Sequence, residues 1–146
     1  VNYLNLLDYE ATLALQIDRL MRRFHSDLHP RAQRIDEEKV GPIGGMILFV
    51  ISESSPISAQ EIAQTLGRDK SQVSRVLSLL VRKGLVEKSA AASDARSSNL
   101  CLTEKGLLQV AAFNGALVET AKTTLSGLDQ KEMQQFSSLL TKILET

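Results

Sequence analysis

At 146 residues, with a formal net charge of zero and 43% apolar residues, the chain is long enough to bury one core and has the balance of an ordinary globular domain. Four Phe, two Tyr and no Trp leave that core to Leu, Ile, Val and Ala, a composition that favours helices. The longest apolar run, Met46 to Ile51, falls far short of the roughly 18 residues of a membrane span, and Asp8, Glu10 and Asp18 interrupt any secretory signal, so the expectation is a cytoplasmic protein without a membrane partner.

From Tyr3 to about Leu28, apolar residues recur at Leu6, Leu13, Ile17, Leu20, Phe24 and Leu28 with no Gly or Pro between them, which predicts a long amphipathic helix ended by Pro30. The charged stretch Arg31 to Lys39 reads as a solvated loop or a short exposed turn. Gly41, Pro42, Gly44 and Gly45 punctuate the entry to a short apolar helix, Met46 to Ser52, expected to be buried on most sides with its glycines allowing close packing. Ser58 and Glu61 form an S-x-x-E capping signal for a helix to Leu66, and Gly67 ends it. Asp69 with Gln72 repeats the signal at once, opening a helix from about Lys70 to Lys83.

Gly84 stops that helix. Leu85 to Lys88 and Asn99 to Leu102 read as two brief strands joined by the small, polar Ser89 to Ser98 segment, a β-hairpin with a long tip. Thr103 starts a helix of about six turns through Leu107, Val110, Phe113, Leu117 and Leu125, broken by Gly127. A third capping pair, Asp129 and Glu132, opens a last helix whose apolar face is Met133, Phe136, Leu139, Leu140, Ile143 and Leu144.

The zero net charge hides an uneven distribution. Between Arg68 and Lys105 eight basic residues face four acidic ones, a local +4, and the flanks must sum to −4. A basic centre between acidic ends suits a nucleic-acid reader, because phosphate attraction acts within about 8 Å. Ile62, Ala63 and Leu66 on the first short helix and Val73, Val76, Leu77 and Leu80 on the second form facing stripes about a glycine turn, so the two must cross. The opposite face of the second then projects Lys70, Ser71, Gln72, Ser74 and Arg75, with Arg68 in the turn and Ser58 and Gln60 at the start of the first helix. Arg can pair bidentately with guanine and Gln with adenine, which makes this face a candidate reader of duplex DNA.

A helix-turn-helix followed by R-K-G-L-V (Arg82 to Val86), D-A-R (Asp94 to Arg96) and L-C-L-T-E-K-G (Leu100 to Gly106) resembles the MarR family of winged helix-turn-helix transcriptional regulators. The motif match covers about Ser58 to Gly106, and the rest matches in layout. The resemblance implies a mainly α fold with a two-stranded hairpin wing and long terminal helices that dimerise. Residues 1–146 then form one domain, 41–103 being the winged lobe and 1–40 with 104–146 the helical dimerisation region. It also implies that Arg96 reaches the minor groove from the wing tip and that Asp94 steadies the wing. The partners implied are a second copy of the chain, a pseudopalindromic operator, and a small aromatic or other organic effector that releases a repressor. Met21, Phe24, His25, Met46 and Phe49 are the candidate effector-pocket residues.

Other signals are weaker. His25 and His29 share a helix face at a spacing a metal can use, yet a closed site needs about four ligands and no further His exists, so no metal or cofactor is expected. Cys101 alternates with Leu100 and Leu102 and so should face outward as a passive thiol. No phosphate loop, nucleophile elbow or Cys–His pairing suggests an enzyme. The rival to an effector-released repressor is a winged-helix module for protein contacts or architectural, sequence-indifferent DNA binding.

Overall fold

Residues 8–89 and 99–146 are described in the computed structural model. In chain order they form α1 (Tyr9–Ile35), α2 (Gly41–Ser54), α3 (Ala59–Leu66), α4 (Lys70–Arg82), β1 (Val86–Lys88), β2 (Leu100–Leu102), α5 (Glu104–Thr124) and α6 (Gln130–Leu144). The chain divides into two compact units, one comprising the chain up to Arg31 with Leu117–Thr146, the other Ala32–Ala116.

In Ala32–Ala116 the core is aliphatic, as the composition requires. Ile47 and Ile51 of α2, Ile62 of α3, Val73 and Leu80 of α4, and Leu85 and Val86 of the wing are all essentially inaccessible. Helices α3, α4 and α6 begin where a side chain can take an orphan amide. Ser58 accepts from the Glu61 amide, Gly67 closes α3 in the left-handed conformation at φ 61°, and Asp69 accepts from the Gln72 amide to start α4. The Ser58 hydroxyl also donates to Glu61 Oε1 at 2.9 Å, so this pair meets side chain to side chain instead of reaching back to the cap backbone. At Asp129 and Glu132 both reciprocal bonds of the capping box form.

β1 and β2 pair antiparallel with Val86 opposite Leu102 and Lys88 opposite Leu100. Ile57 adds an isolated bridge on the far side of Leu100, its amide bonding the Leu100 carbonyl at 3.2 Å and its carbonyl accepting from the Leu100 amide at 2.8 Å. A helix-turn-helix followed by such a hairpin is a winged helix-turn-helix, the fold class expected from the sequence.

The R-K-G-L-V and L-T-E-K-G segments interlock. The Thr103 hydroxyl donates to the Gly84 carbonyl at 2.6 Å and accepts from the Gly106 amide at 3.1 Å, while the Thr103 amide donates to the Leu85 carbonyl at 3.1 Å. A Cβ on Gly106 would lie 2.1 Å from that same Leu85 oxygen, so only glycine admits the approach.

Two expectations are corrected. Pro30 does not end the first helix, which continues to Ile35, and residues 31–35 of the supposed loop are helical. An interior proline withdraws the amide that would serve the Ser26 carbonyl. Polar bonds flank it: Arg31 donates Nη1 to the Asp27 carbonyl at 2.9 Å and Nη2 to Thr123 Oγ1 at 2.8 Å, and Thr124 Oγ1 donates to the Asp27 carboxylate at 2.8 Å. The second helix likewise starts at Gly41 instead of Met46, because the Asp36 carboxylate takes the amides of Val40 and Gly41, both at 2.9 Å. Gly44 therefore lies inside α2, where a Cβ would meet Val40 Cβ at 2.7 Å.

Candidate nucleic-acid interface

The buried stripe of α4 is Val73, Leu77 and Leu80, spaced four and three residues apart. That registration turns Lys70, Ser71, Ser74 and Arg75 to solvent, with Gln72 half-buried beside them. The sequence-derived face is thus displayed as one surface at the N-terminal half of the helix. Asp69 is engaged by the Gln72 amide, and neither Lys70 nor Arg75 makes an ion pair with any described residue.

Gln60, Arg68 and Lys70 come together around an open concavity of about 430 Å³, whose walls also include Ala63, Gln64 and Gly67. Gln64 was not among the expected residues, although it follows Gln60 by four and so shares its helix face, a spacing that could have found it. Ser58 is at the cap of α3, with its hydroxyl held by Glu61 on both its donor and its acceptor side. Asp94 and Arg96, the expected wing-tip residues, lie outside the described residues.

The basic block is less uniform than its sequence suggests. Lys105 Nζ pairs with Glu38 Oε1 at 3.0 Å and donates to the Lys83 carbonyl at 3.1 Å, and Lys83 Nζ bonds the Glu38 carbonyl. Two of the eight cations are therefore built into the fold. Arg68, Lys70, Arg75, Arg82 and Lys88 remain exposed and without an ion pair among the described residues.

A protein-family model described as the MarR family matches residues 43–97, a span that runs from α2 through the helix-turn-helix to the wing. Over that span the chain is similar to the MarR family. The structure of S. aureus MepR in complex with DNA is 25% identical, with a TM-score of 0.65 over 95% of this chain and 98% of that one. A MarR transcriptional regulator from Methanosarcina mazei Go1 is 20% identical, with a TM-score of 0.77 over 92% of this chain and 94% of that one. A MarR family protein of Mycobacterium tuberculosis in complex with DNA is 16% identical, with a TM-score of 0.75 over 90% of this chain and 96% of that one. The last two likenesses speak for the shared MarR fold.

The remaining expected residues are placed as follows. Met21, Phe24 and His25 are on α1, the rings of Phe24 and His25 meeting edge to face at 6.0 Å. Met46 and Phe49 are on α2, where Phe49 meets Phe113 of α5 edge to face at 6.5 Å. His25 and His29 are exposed, and among the described residues no three His, Cys, Asp or Glu side chains gather as a metal site would require. Cys101 is half-buried opposite Glu87. No described helix is long and apolar enough to cross a membrane.

Proposed function

We propose that the protein is a sequence-specific DNA-binding regulator of transcription that reads duplex DNA with α4. The observation that carries this reading is the exposed set Lys70, Ser71, Ser74 and Arg75, with Gln72 half-buried beside them, at the N-terminal half of a helix whose other face is locked in a core. Arg75 offers two parallel donors to guanine and Gln72 a donor and an acceptor to adenine, while Arg68 and Lys70 supply phosphate attraction. The DNA complexes of MepR and of the M. tuberculosis protein support it, since both are built on the same fold.

The acting species in this reading is a homodimer. Neither α1 nor α6 buries a single residue, yet Leu13, Ile17, Leu139, Ile143 and Leu144 on them are exposed, an apolar surface that a second copy would cover. Two-fold symmetry then calls for a pseudopalindromic operator with half-sites roughly 34 Å apart. Repression relieved by a small organic effector completes the reading, with Met21, Phe24, His25, Met46 and Phe49 as its candidate contacts, and Arg96 with Asp94 as the wing's contribution at the minor groove.

The test is binding to duplex enriched from random sequence, followed across salt concentrations. Enrichment of a palindromic site and a loss of about 1–3 kcal/mol for Arg75→Ala and for Arg96→Ala are expected. Binding that tracks salt alone, with no enriched site and no effect of either substitution, would replace a regulator with an architectural or protein-contact module.

A further inference from the structure

The turn between α1 and α2 is tightly built. Asp36 holds the amides of Val40 and Gly41, and Lys39 adopts a left-handed φ of 55°. Glu38, between them, faces the far end of α4. Its carboxylate pairs with Lys105 Nζ at 3.0 Å, and its backbone carbonyl accepts from Lys83, the C-cap residue of α4. Lys105 Nζ in turn donates to the Lys83 carbonyl at 3.1 Å. The next two carbonyls, of Gly84 and Leu85, accept from the hydroxyl and amide of Thr103. Three consecutive carbonyls at the C-terminal end of α4 are thus held by two residues at the start of α5, and Glu38 clamps the assembly from a third element.

We propose that Glu38 is a positioning residue for the recognition helix: through Lys83 and Lys105 it sets the tilt of α4 and thereby the protein's discrimination between DNA sequences. The inference rests on the DNA-reading role proposed above. Stability does not account for the cluster. The side chains of Lys105 and Glu38 are 51% and 30% exposed, so their ion pair is screened by water and contributes about 1 kcal/mol at most, and the Val73, Leu77 and Leu80 stripe already anchors the helix. Geometry does account for it. A helix of 13 residues is about 20 Å long, so a tilt of about 5° at the clamped end moves the Lys70 end by about 1.7 Å. Hydrogen bonds tolerate about 0.5 Å, whereas attraction of a flexible Arg or Lys to phosphate barely changes over that distance. Loosening the clamp should therefore weaken the correct site and spare nonspecific binding.

The experiment measures binding of the full chain to its enriched duplex and to a scrambled duplex, between about 50 and 200 mM salt, for the wild type, Glu38→Gln, Lys105→Gln and the double variant. Each single substitution should weaken the enriched duplex about three- to tenfold, with the scrambled duplex and the salt slope unchanged. The thermal midpoint should stay within about 2 °C, and the double variant should be no worse than the worse single one. Lys105→Gln carries the test should Glu38→Gln not fold. Unchanged affinity for the enriched duplex overturns the proposal, as does equal weakening of both duplexes with a lowered midpoint. Tighter binding of both duplexes with a slope steeper by about 0.9 also overturns it, showing that Glu38 withholds Lys105 from phosphate. Failure of the wild type to enrich any duplex is a separate result that removes the DNA-reading role itself.

Discussion

In Ala32–Ala116 the side chains of Ile47, Ile51, Ile62, Val73, Leu80 and Leu85 are fully buried, whereas in the other unit Thr120 and Thr124 are the buried residues among those described, and α1 and α6 bury none. The winged lobe closes its core within one chain. In the other unit α1 and α5 are joined by polar bonds, Arg31 to Thr123 and Thr124 to Asp27, while Leu13, Ile17, Leu139, Ile143 and Leu144 stay exposed. Two parts of one protein thus rest on different physics: apolar burial in the first, and in the second a hydrogen-bonded scaffold that presents an apolar surface. Substitutions in each should separate the two.

The largest effect belongs to the winged lobe. Leu80→Ala removes a fully buried side chain in the last turn of α4, part of one core cluster with residues of α2, α3 and the wing, where little can collapse into the space. Chemical denaturation should show a loss of about 2–5 kcal/mol. A loss below about 1 kcal/mol would mean that the lobe is far more plastic than its packing implies.

The next effect tests the uncovered face. Ile143 is 67% exposed in the single chain, so within one chain its replacement by Glu should be close to neutral. In a dimer it is not. The wild type should show a midpoint that rises with protein concentration, association supplying about 2.7 kcal/mol at a hundred times Kd, and Ile143→Glu should abolish that dependence and sediment as a monomer. A wild type that is monomeric with a concentration-independent midpoint sinks the homodimer.

The same division governs what the sequence discloses. The caps at Ser58, Asp69 and Asp129 were legible because each involves residues three apart, and the recognition face of α4 followed from a spacing of three and four on one helix. The passage of α1 through Pro30 was not, and the polar bonds that flank it reach Thr123 and Thr124, more than ninety positions away. Nor was the start of α2, where Asp36 caps amides four and five residues on, outside the usual capping spacing. At the candidate interface the cations were countable but their partners were not: only the fold shows that Glu38 occupies Lys83 and Lys105 and leaves Arg68, Lys70 and Arg75 to solvent. Local signals read well, and pairings across the chain read poorly, because the second kind have no spacing to recognise.

The smallest expected effect tests the polar scaffold directly. Thr124 is 8% exposed and its hydroxyl donates to the Asp27 carboxylate at 2.8 Å. Thr124→Val keeps the shape and deletes the donor. A hydrogen bond to a charged group contributes about 1.5–3 kcal/mol when the acceptor is left stranded, but the Asp27 side chain is 26% exposed and water can replace the lost partner. Valine also gains from burial in that position. The balance should be a destabilisation of about 0.5–1 kcal/mol, measured by denaturation at a fixed protein concentration so that any association is held constant. Stabilisation by Thr124→Val would reverse the comparison: the terminal unit would then prefer an apolar interior, and its polar bonds would serve to choose one arrangement of the helices at a cost in stability.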